Sequence, residues 1–400
     1  MSQQSKEAAN PARLGYISDM TSDSTRRTVL FAGGGTGGHL FPGIAVAREL
    51  LAREPDARVL FVGSQKPIEQ DIVSGAGFEH VALPSVSPSL APTRIGSTLL
   101  GNWRAYRQAR SIISRERPNV VIGLGGFASV PPVLAARRSR VPIVLLEQNV
   151  IPGKATRWLS RFADVVCLPW AETAQHLSSR IRTVVTGNPI RREIAMLANA
   201  ERVDPTPPTL LILGGSQGAT TLNSAVIATV ESLRTELSGW RIVHQSGAAD
   251  LDAIRQRYAA LSLAADVQPF FRDMAEQYRH ATCVISRAGA TTLAELACAG
   301  LPAILVPLPT SAHDHQRLNA QLFANHEAAL LVDQPAADGT GAKDELRSKL
   351  VQLLTDAERR RTTSHAIRTL AQPDAASAVL DTLRTGVLEE TSWRKMKGGK

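Results

Sequence analysis

The fold of this chain is decided by one stretch, Phe31-Ala32-Gly33-Gly34-Gly35-Thr36-Gly37-Gly38-His39. An apolar run, Thr28–Phe31, precedes it and a helical pattern from Pro42 to Leu51 follows, so the order is strand, glycine turn, helix. Glycines let the backbone turn sharply and let another molecule approach it closely. The helix start behind them presents unpaired N–H groups at the positive end of a dipole. The stretch therefore predicts a turn that binds an anion, most often a phosphate.

Two later stretches repeat this pattern of apolar run and glycines, at Val120–Gly126 and at Leu211–Gly218. Further short apolar runs alternate with helical patterns along the chain. The predicted strands are Thr28–Phe31, Arg58–Val62, His80–Leu83, Val120–Ile122, Pro142–Leu146, Val165–Leu168 and Arg182–Val185, then Thr209–Leu213, Arg241–Gln245, Val267–Phe270, Cys283–Ser286, Ala303–Val306 and Leu330–Val332. Continuously apolar strands that alternate with helices predict an α/β fold with parallel sheets covered on both faces.

The alternation pauses and restarts, which divides the chain into two halves of similar plan. We expect a disordered leader over 1–26, an N-terminal domain over 27–190, a linker over 191–208, a C-terminal domain over 209–372, and a C-terminal helix and basic tail over 373–400. The linker is stiff in composition, with Asp204-Pro205-Thr206-Pro207-Pro208. Two doubly wound domains would place their ligand crevices at the carboxyl ends of their strands, so we expect the chemistry in the cleft between them.

Composition narrows the class of protein. The net charge of +9 favours an anionic partner, although a basic balance that serves only solubility explains it equally well. No apolar run reaches the ~18 residues that a transmembrane helix needs, and the polar leader lacks the apolar segment of a signal peptide. Cys167, Cys283 and Cys298 form no CxxC motif, so we expect buried free thiols and a reducing cytoplasm.

The glycine pattern also excludes some cofactors. Gly33-x-Gly35-x-x-Gly38 formally matches the dinucleotide fingerprint, but no carboxylate follows the second strand, which ends at Ser64. The chain contains no Gly-Lys-Ser/Thr, so a P-loop is excluded. A nicotinamide dehydrogenase is therefore disfavoured, and we expect no cofactor.

Two polar residues near the glycine turns are candidates for chemistry. His39 sits at a helix start, where the dipole disfavours protonation, so its neutral imidazole could accept a proton from a sugar hydroxyl. Its ordinary alternative is a capping or core histidine. Glu295 would lie one turn into the helix that follows Ser286–Ala290, and there its carboxylate could accept two ribose hydroxyls. Its ordinary alternative is a solvated or capping residue.

One acidic pair resembles a metal site. Asp250 and Asp252 open a helix after Gly247. Aspartate is common at helix starts, so Asp250 is predicted to be an N-cap, and no metal ligand is expected.

Several motifs together resemble one family. They are Gly34–His39, Glu147-Gln148-Asn149, Gly187-Asn188-Pro189-Ile190-Arg191, Gly214–Gly218 and Ala288–Glu295, and they stand in the order and rough spacing of the MurG family of bacterial glycosyltransferases. The resemblance spans about Thr28 to Gln372. Agreement of several separate motifs is far more specific than a match to one glycine turn.

The resemblance implies a GT-B architecture, in which two facing Rossmann-like domains hold a nucleotide sugar in the interdomain cleft. It implies inverting transfer of N-acetylglucosamine from UDP-N-acetylglucosamine to the muramyl 4-hydroxyl of undecaprenyl-pyrophosphoryl-muramyl-pentapeptide (lipid I), which gives lipid II. That reaction belongs to peptidoglycan synthesis, and so to cell-wall biogenesis, cell shape and cell division. The expected partners are these two substrates and an anionic membrane, without nucleic acid, at the cytoplasmic face of the inner membrane.

The resemblance also assigns roles, residue by residue. The C-terminal domain would hold UDP and the N-terminal domain would face acceptor and membrane. His39 and Glu147 would be catalytic, with His39 as candidate base and Glu147 supporting the acceptor loop. The implied substrate-binding residues are Thr36, Gly37, Gly38 and Asn149 on the acceptor side, and Arg191, Ser216, Gln217, Phe271, Ala290, Thr291, Thr292, Glu295 and Gln316 on the donor side. Phe271 would bind uracil through its backbone, and Gln316 would reach the sugar hydroxyls.

A lipid-linked acceptor requires a membrane contact, and Arg94–Arg117 is the candidate. Leu99, Trp103 and Tyr106 recur at helical spacing there, interleaved with Arg104, Arg107 and Arg110. A basic amphipathic helix of this kind lies on anionic membranes. An ordinary surface helix that packs its apolar stripe on its own sheet is about equally consistent with the pattern.

Two other functions share part of this pattern. A UDP-sugar 2-epimerase can have the same two-domain fold and would need no acceptor. A non-catalytic nucleotide or nucleic-acid binder would exploit the positive charge, but aromatic residues make up only 4% of the chain, which is unlike single-strand readers.

Overall fold

The computed structural model describes residues 26–85, 92–214, 219–309, 314–333 and 340–385. Within these ranges the chain forms two parallel sheets, one of seven strands and one of six. The predicted leader lies almost wholly outside the described residues, and so does the basic tail from residue 386 onward.

The first sheet has the order β3-β2-β1-β4-β5-β6-β7. Its strands are β1 (Thr28–Gly33), β2 (Arg58–Ser64), β3 (Glu79–Leu83), β4 (Val120–Gly125), β5 (Ile143–Leu146), β6 (Val165–Leu168) and β7 (Thr183–Val185). Successive residues of β1 alternate between the two faces, with Val29 and Phe31 in one buried cluster and Leu30 and Ala32 in the other. The central strand is apolar throughout because both faces of the sheet are covered.

Helices cover both faces of this sheet. They are α1 (Gly37–Arg53), α2 (Pro67–Gly75), α3 (Pro92–Glu116), α4 (Val130–Arg138) and α5 (Lys154–Leu159). Helices α1 and α2 bury Leu40 and Val73 on the Phe31 face, whereas α3 and α4 bury Ile112 and Val133 on the opposite face.

The second sheet has the order β10-β9-β8-β11-β12-β13 and repeats the plan of the first. Its strands are β8 (Thr209–Leu213), β9 (Arg241–Gln245), β10 (Ala265–Gln268), β11 (Cys283–Ser286), β12 (Ala303–Leu305) and β13 (Leu330–Leu331). The helices are α6 (Arg192–Ala195), α7 (Thr220–Ser232), α8 (Leu251–Ala260), α9 (Met274–Arg279), α10 (Ala290–Ala299), α11 (His315–Asn325), α12 (Thr340–Thr355), α13 (Ala357–Arg368) and α14 (Ala375–Leu383). Strand order reverses beside β1 in the first sheet and beside β8 in the second, and crevices open at such switch points.

All thirteen predicted strands are present, and the predicted α/β class is confirmed. Strand β4 runs three residues beyond its predicted end at Ile122, and β10 is shifted as a whole, beginning and ending two residues before its predicted bounds, Val267–Phe270. The chain leaves the sheet at Pro269, which has no N–H to extend the ladder. The three cysteines are buried free thiols, as predicted.

The chain passes between the two halves twice. After β7 the segment 191–208 forms α6 and buries Ile194 and Leu197 in the core of the second half. Near the end, α14 returns to the first half, where Val379 and Leu383 join the cluster beneath α1. Arg53 Nη1 donates to Asp381 Oδ1 at 2.7 Å and fixes this return. The sequence left open which half this last helix would cover.

None of the helices in the described ranges is long and apolar enough to cross a membrane.

Candidate active site

A cavity of about 760 Å³ lies between the carboxyl ends of the two sheets. Its position at the switch points follows from the strand order. At the first switch point, the β1–β4 register shifts between Ala32 and Gly33, and there is no room for a side chain, because a Cβ on Gly33 would lie 2.6 Å from the carbonyl oxygen of Gly125. Gly33 also has a φ of +139°, so the turn that follows β1 requires glycine at this position.

Four helices begin at the wall of this cavity. The lining residues from their first turns are Gly37, Gly38 and His39 of α1, Thr220 and Thr221 of α7, Ala290, Thr291 and Thr292 of α10, and His315 and Gln316 of α11. None of these four first turns carries an acidic residue, but Asp314 occupies the N-cap position of α11 and offsets the dipole of that helix. Unpaired N–H groups and the positive dipole ends of α1, α7 and α10 therefore converge on the same space, which suits a multiply charged anion.

The α10 side of the cavity carries an additional cation. The guanidinium of Arg287 donates to the carbonyl oxygens of Val306 at 3.0 Å and Pro307 at 3.1 Å, which aim it along the cavity wall. Burial lowers the pKa of Arg287 to about 10, so it stays charged at neutral pH. Arg287 was not among the site residues predicted from the sequence. The available signal was an arginine directly after β11, at the switch point of the second sheet.

The predicted ribose ligand, Glu295, lies in the cavity wall and is held on both of its oxygens. Arg191 Nη2 donates to Oε1 at 2.8 Å, and the Tyr278 hydroxyl donates to Oε2 at 2.9 Å. Burial and the neighbouring carboxylate raise the pKa of Tyr278 well above its ordinary value, so its hydroxyl remains a donor. Tyr278 was missed by the sequence analysis, because its distance of 17 residues from Glu295 gives no local pattern.

On the opposite wall, His39 is half-buried at the start of α1. Its Nδ1 lies 3.1 Å from the hydroxyl of Thr36, and its ring packs against Gly125. The pKa of His39 is lowered, chiefly by burial and further by His315 and Lys66, while Glu147 and Glu69 oppose the shift. The direction agrees with the predicted neutral imidazole, but burial is the largest cause, whereas the prediction relied on the helix dipole.

Glu147 supports the adjacent loop from below and does not line the cavity. Its Oε1 accepts from the backbone N–H groups of Gln148 and Asn149 at 2.9 and 3.0 Å, and its Oε2 accepts from Gly153 at 3.1 Å. The loop so held presents Asn149 to the cavity. The structure therefore gives Glu147 the geometry of a loop support, with no direct access to the cavity.

Among the described residues, hydrogen bonds at Asn319 and Thr291 join the walls across the cleft, including one from the N–H of Val150 to Asn319 Oδ1 at 3.0 Å. The side chain of Asn319, fully buried, donates to Asn149 Oδ1 at 3.1 Å and to the carbonyl oxygen of Ala288 at 3.3 Å. The hydroxyl of Thr291 donates to the carbonyl oxygen of Gly38 at 3.3 Å. These hydrogen bonds therefore fix the position of one half relative to the other at the base of the cavity.

The remaining predicted site residues are distributed as follows. Thr36, Gly37, Gly38, Asn149, Arg191, Ala290, Thr291, Thr292 and Gln316 line the same cavity as His39 and Glu295. Ser216 and Gln217 lie outside the described residues. Phe271 is buried and donates its N–H to Gln245 Oε1 at 3.2 Å, while its neighbour Phe270 lines the cavity.

The acidic pair at the start of α8 differs in detail from its prediction. Asp250 occupies the N-cap position, but its carboxylate makes no cap bond and accepts instead from Asn223 Nδ2 at 2.7 Å. In the described part of the chain, no group of three His, Cys, Asp or Glu residues is placed to hold a metal ion.

Two doubly wound domains that face each other across an anion-binding cavity define the GT-B class of glycosyltransferase. The N-terminal domain model of glycosyltransferase family 28 matches residues 29–168, and its C-terminal domain model matches residues 209–379. The chain belongs to glycosyltransferase family 28, within the group of UDP-N-acetylglucosamine–N-acetylmuramyl-(pentapeptide) pyrophosphoryl-undecaprenol N-acetylglucosamine transferases.

A curated relative and one solved structure support this assignment. The relative of that name from Pelobacter propionicus is 36% identical over 382 residues, which cover 89% of this chain and 99% of that protein. A crystal structure of MurG from Acinetobacter baumannii matches with a TM-score of 0.70 at 30% identity, over 90% of this chain and 99% of that one. A structure of a UDP-GlcNAc 2-epimerase from Neisseria meningitidis matches with a TM-score of 0.62, over 89% of this chain and 99% of that one. At 13% sequence identity, this match shows a shared fold alone.

The position of Tyr278 generates a prediction. We expect Tyr278→Phe to weaken UDP binding about tenfold, because a hydrogen bond to a charged group contributes ~1.5–3 kcal/mol and its loss frees the Glu295 carboxylate to rotate. The preference for UDP over 2′-deoxy-UDP should fall in parallel, measured by calorimetric titration. Tyr258→Phe is the matched control, since that buried hydroxyl pairs with His244 and does not contact Glu295. Unchanged UDP affinity in Tyr278→Phe would contradict the role.

Proposed function

We propose that this chain transfers N-acetylglucosamine from UDP-N-acetylglucosamine to the muramyl 4-hydroxyl of the lipid-linked muramyl pentapeptide, with inversion at the anomeric carbon. The observation that carries the proposal is the division of one cavity between an anion-binding wall and a wall that holds a neutral imidazole. The curated relatives, which this chain matches along nearly their whole length, act on this donor and this acceptor by name.

The donor belongs on the C-terminal wall. Its diphosphate fits the start of α10, where the amides of Ala290, Thr291 and Thr292 and the cation of Arg287 converge. Ser216 and Gln217, which follow β8 in the sequence and lie outside the described residues, are proposed as further phosphate ligands. Glu295 accepts the ribose hydroxyls, and Gln316 contacts the sugar. Phe271 does not line the cavity and its N–H is bonded to Gln245, so a backbone contact with the uracil requires its carbonyl oxygen or the release of that bond. Arg191 keeps Glu295 oriented from the side of the linker.

The acceptor belongs on the N-terminal wall. The turn Thr36-Gly37-Gly38 and the Asn149 side chain border the space beside His39. Glu147 contributes indirectly, by fixing the loop that carries Asn149. The N-terminal wall therefore presents a nucleophile opposite the anomeric carbon.

The chemistry is a single displacement. The muramyl oxygen forms a bond to the anomeric carbon as the bond from that carbon to the β-phosphate oxygen breaks, and the electron pair leaves with UDP. The proton of the hydroxyl passes to a neutral His39. The helix N-terminus of α10 and Arg287 stabilise the negative charge that develops on the departing diphosphate.

Membrane contact belongs to α3. Its buried face is formed by Ala105, Ala109, Ile112 and Ile113, so the helix does pack on its own sheet. Trp103 and Leu100 nevertheless remain 54% and 48% exposed, beside the exposed Arg104, Arg107 and Arg110. Tyr106 turns towards the core, and the Leu99 side chain lies outside the described residues. An exposed tryptophan among arginines suits peripheral attachment to the anionic cytoplasmic face of the inner membrane.

The reaction itself is tested by UDP release from UDP-N-acetylglucosamine, with and without the lipid-linked muramyl acceptor. We expect release to depend on the acceptor, with a β-linked disaccharide as product. Conversion of UDP-N-acetylglucosamine without acceptor would favour the 2-epimerase alternative instead. Preference for RNA over UDP in a competition titration would favour the non-catalytic binder.

The role of His39 gives a prediction with a pH signature. His39→Ala should retain UDP binding and lose ~10²–10⁴-fold in turnover, the usual contribution of a positioned base. The base must be unprotonated, so kcat/KM should rise with pH through the His39 pKa and level off above it. Because that pKa is lowered, the midpoint of the acidic limb should lie below the ordinary 6.5 and should disappear in His39→Ala. His326→Ala, on an exposed histidine, is the control; near-normal turnover of His39→Ala would reassign the base.

The α3 surface gives a second prediction. The triple variant Arg104→Ala, Arg107→Ala, Arg110→Ala should sediment at least tenfold less with vesicles containing phosphatidylglycerol, since each basic residue near an anionic surface contributes ~1 kcal/mol. Arg241→Ala, Arg257→Ala and Arg361→Ala together remove the same charge from exposed sites on the other domain. Equal loss in both triple variants, or none in the first, would exclude α3 as the contact.

A further inference from the structure

A buried carboxylate with no role in the proposed reaction so far, that of Glu69, lies directly under the first glycine turn. Glu69 is the third residue of α2, and its side chain has no exposed surface. Its Oε1 accepts from the N–H of Gly35 at 2.7 Å, and its Oε2 accepts from the N–H of Ser64, also at 2.7 Å. The Ser64 hydroxyl is a third donor. The carboxylate therefore ties the turn after β1 to the end of β2.

Two glycines make room for this carboxylate. A Cβ on Gly34 would lie 2.2 Å from Glu69 Oε2, and a Cβ on Gly63 would lie 2.3 Å from the same atom. Neither glycine has a positive φ, so the close approach of Glu69 is what requires glycine at these two positions. Gly63 lies in β2 and is not among the residues that line the cavity. A Cβ there would also lie 2.8 Å from His80 Nε2 and 3.2 Å from the carbonyl oxygen of Gly33, so a methyl group would displace Glu69 first and press on these two neighbours as well.

The local field favours a charged Glu69. Burial opposes ionisation, but the adjacent His80 ring and the donors of Ser64 and Gly35 outweigh it and hold the pKa of Glu69 below its ordinary value. His80 Nε2 lies 3.8 Å from Oε2, and the carboxylate also sits in the first turn of α2, near the positive end of that helix. Each oxygen thus has donors on the backbone and a positive environment around it.

The turn that Glu69 holds is the one that carries the acceptor wall. Three residues beyond Gly34–Gly35, the carbonyl oxygen of Gly38 accepts from Thr291 across the cleft, and the Thr36 hydroxyl contacts His39 Nδ1. We propose that Glu69 is a positioning residue for the transfer reaction: it fixes the turn 34–38, and so places His39 opposite the donor. This inference rests on the proposed function for the identity of the acceptor wall.

Glu69→Gln tests the inference with the smallest change in shape. The glutamine amide has one oxygen that can accept a hydrogen bond, whereas the carboxylate has two. Its NH₂ group takes the place of the other oxygen and must face the N–H donor of Gly35 or of Ser64. We expect kcat to fall at least tenfold, while the Kd for UDP stays within twofold of wild type, because the donor wall does not contact Glu69. Glu79→Gln, on an exposed carboxylate of the neighbouring strand β3, is the matched control.

A second pair of variants tests the same link from the glycine side. Gly63→Ala should reproduce the loss of kcat with unchanged UDP affinity, because its methyl group would displace the Glu69 carboxylate. Gly75→Ala is the control, since nothing lies within 4 Å of a Cβ there. Turnover within twofold of wild type in Glu69→Gln, or parallel loss of UDP binding and turnover, would overturn the inference.

Hydrogen–deuterium exchange separates this inference from the proposed function. Peptides covering residues 34–41 should exchange at least tenfold faster in Glu69→Gln, because the side chain can then accept from only one of Gly35 and Ser64 and the tie between the turn and β2 is lost, while peptides from the C-terminal domain stay unchanged. Unaltered exchange in 34–41 would reject the positioning role. If the wild-type chain transferred no sugar but Glu69→Gln still exchanged faster in 34–41, the proposed function would be rejected. The conclusion that Glu69 fixes the turn would stand.

Discussion

The structure depends on one geometric constraint: the carboxyl ends of two parallel sheets face each other, so the helices that follow the central strands all begin at the same cavity. Each of α1, α7 and α10 contributes roughly half a positive charge at its start, and no acidic residue in their first turns cancels it, whereas Asp314 at the N-cap of α11 offsets the dipole of that helix. A diphosphate can be bound there largely by main-chain groups. The fold itself therefore supplies much of the electrostatic part of catalysis, before any side chain is considered.

The three carboxylates near the site, those of Glu69, Glu147 and Glu295, are all buried. Each accepts hydrogen bonds from donors of the protein itself. Glu69 receives N–H groups from a glycine turn and a strand end, and Glu147 receives N–H groups from its own loop. Glu295 receives Arg191 and Tyr278. Burying an uncompensated carboxylate costs several kcal/mol, whereas each of these hydrogen bonds contributes ~1.5–3 kcal/mol, so the loops cannot move without a large penalty. The negative charges thereby rigidify both walls without repelling an anionic ligand from the helix starts.

The sequence predicted the thirteen strands and the two-domain plan because apolar runs of parallel strands are continuous and local. Most of the residues that line the cavity were also predicted, because glycine turns and helix starts are local signals in the sequence. Arg287 was missed although its position directly after β11 was a local signal, whereas Tyr278 and Glu69 were missed for a common physical reason. Each acts through contacts that only the tertiary structure creates, such as the 34-residue separation between Glu69 and Gly35. Conversely, the N-cap assignment of Asp250 gave the right position but the wrong partner, because Asn223 competes for the carboxylate.

The way the two halves are joined determines which part of the cleft can open. On the linker side, Trp170 and Ile190 are buried in the core of the second domain, and the ring of Trp170 packs edge-on against Phe323 at 5.8 Å. At the base of the cavity, the described contacts across the cleft include neutral hydrogen bonds such as Thr291 to Gly38 and Asn319 to Asn149, which contribute only ~0.5–1.5 kcal/mol each. Apolar burial holds the linker side more strongly than these bonds hold the cavity side. Separation of the domains should therefore begin at the cavity, where donor and acceptor enter, with the linker and α14 acting as the hinge.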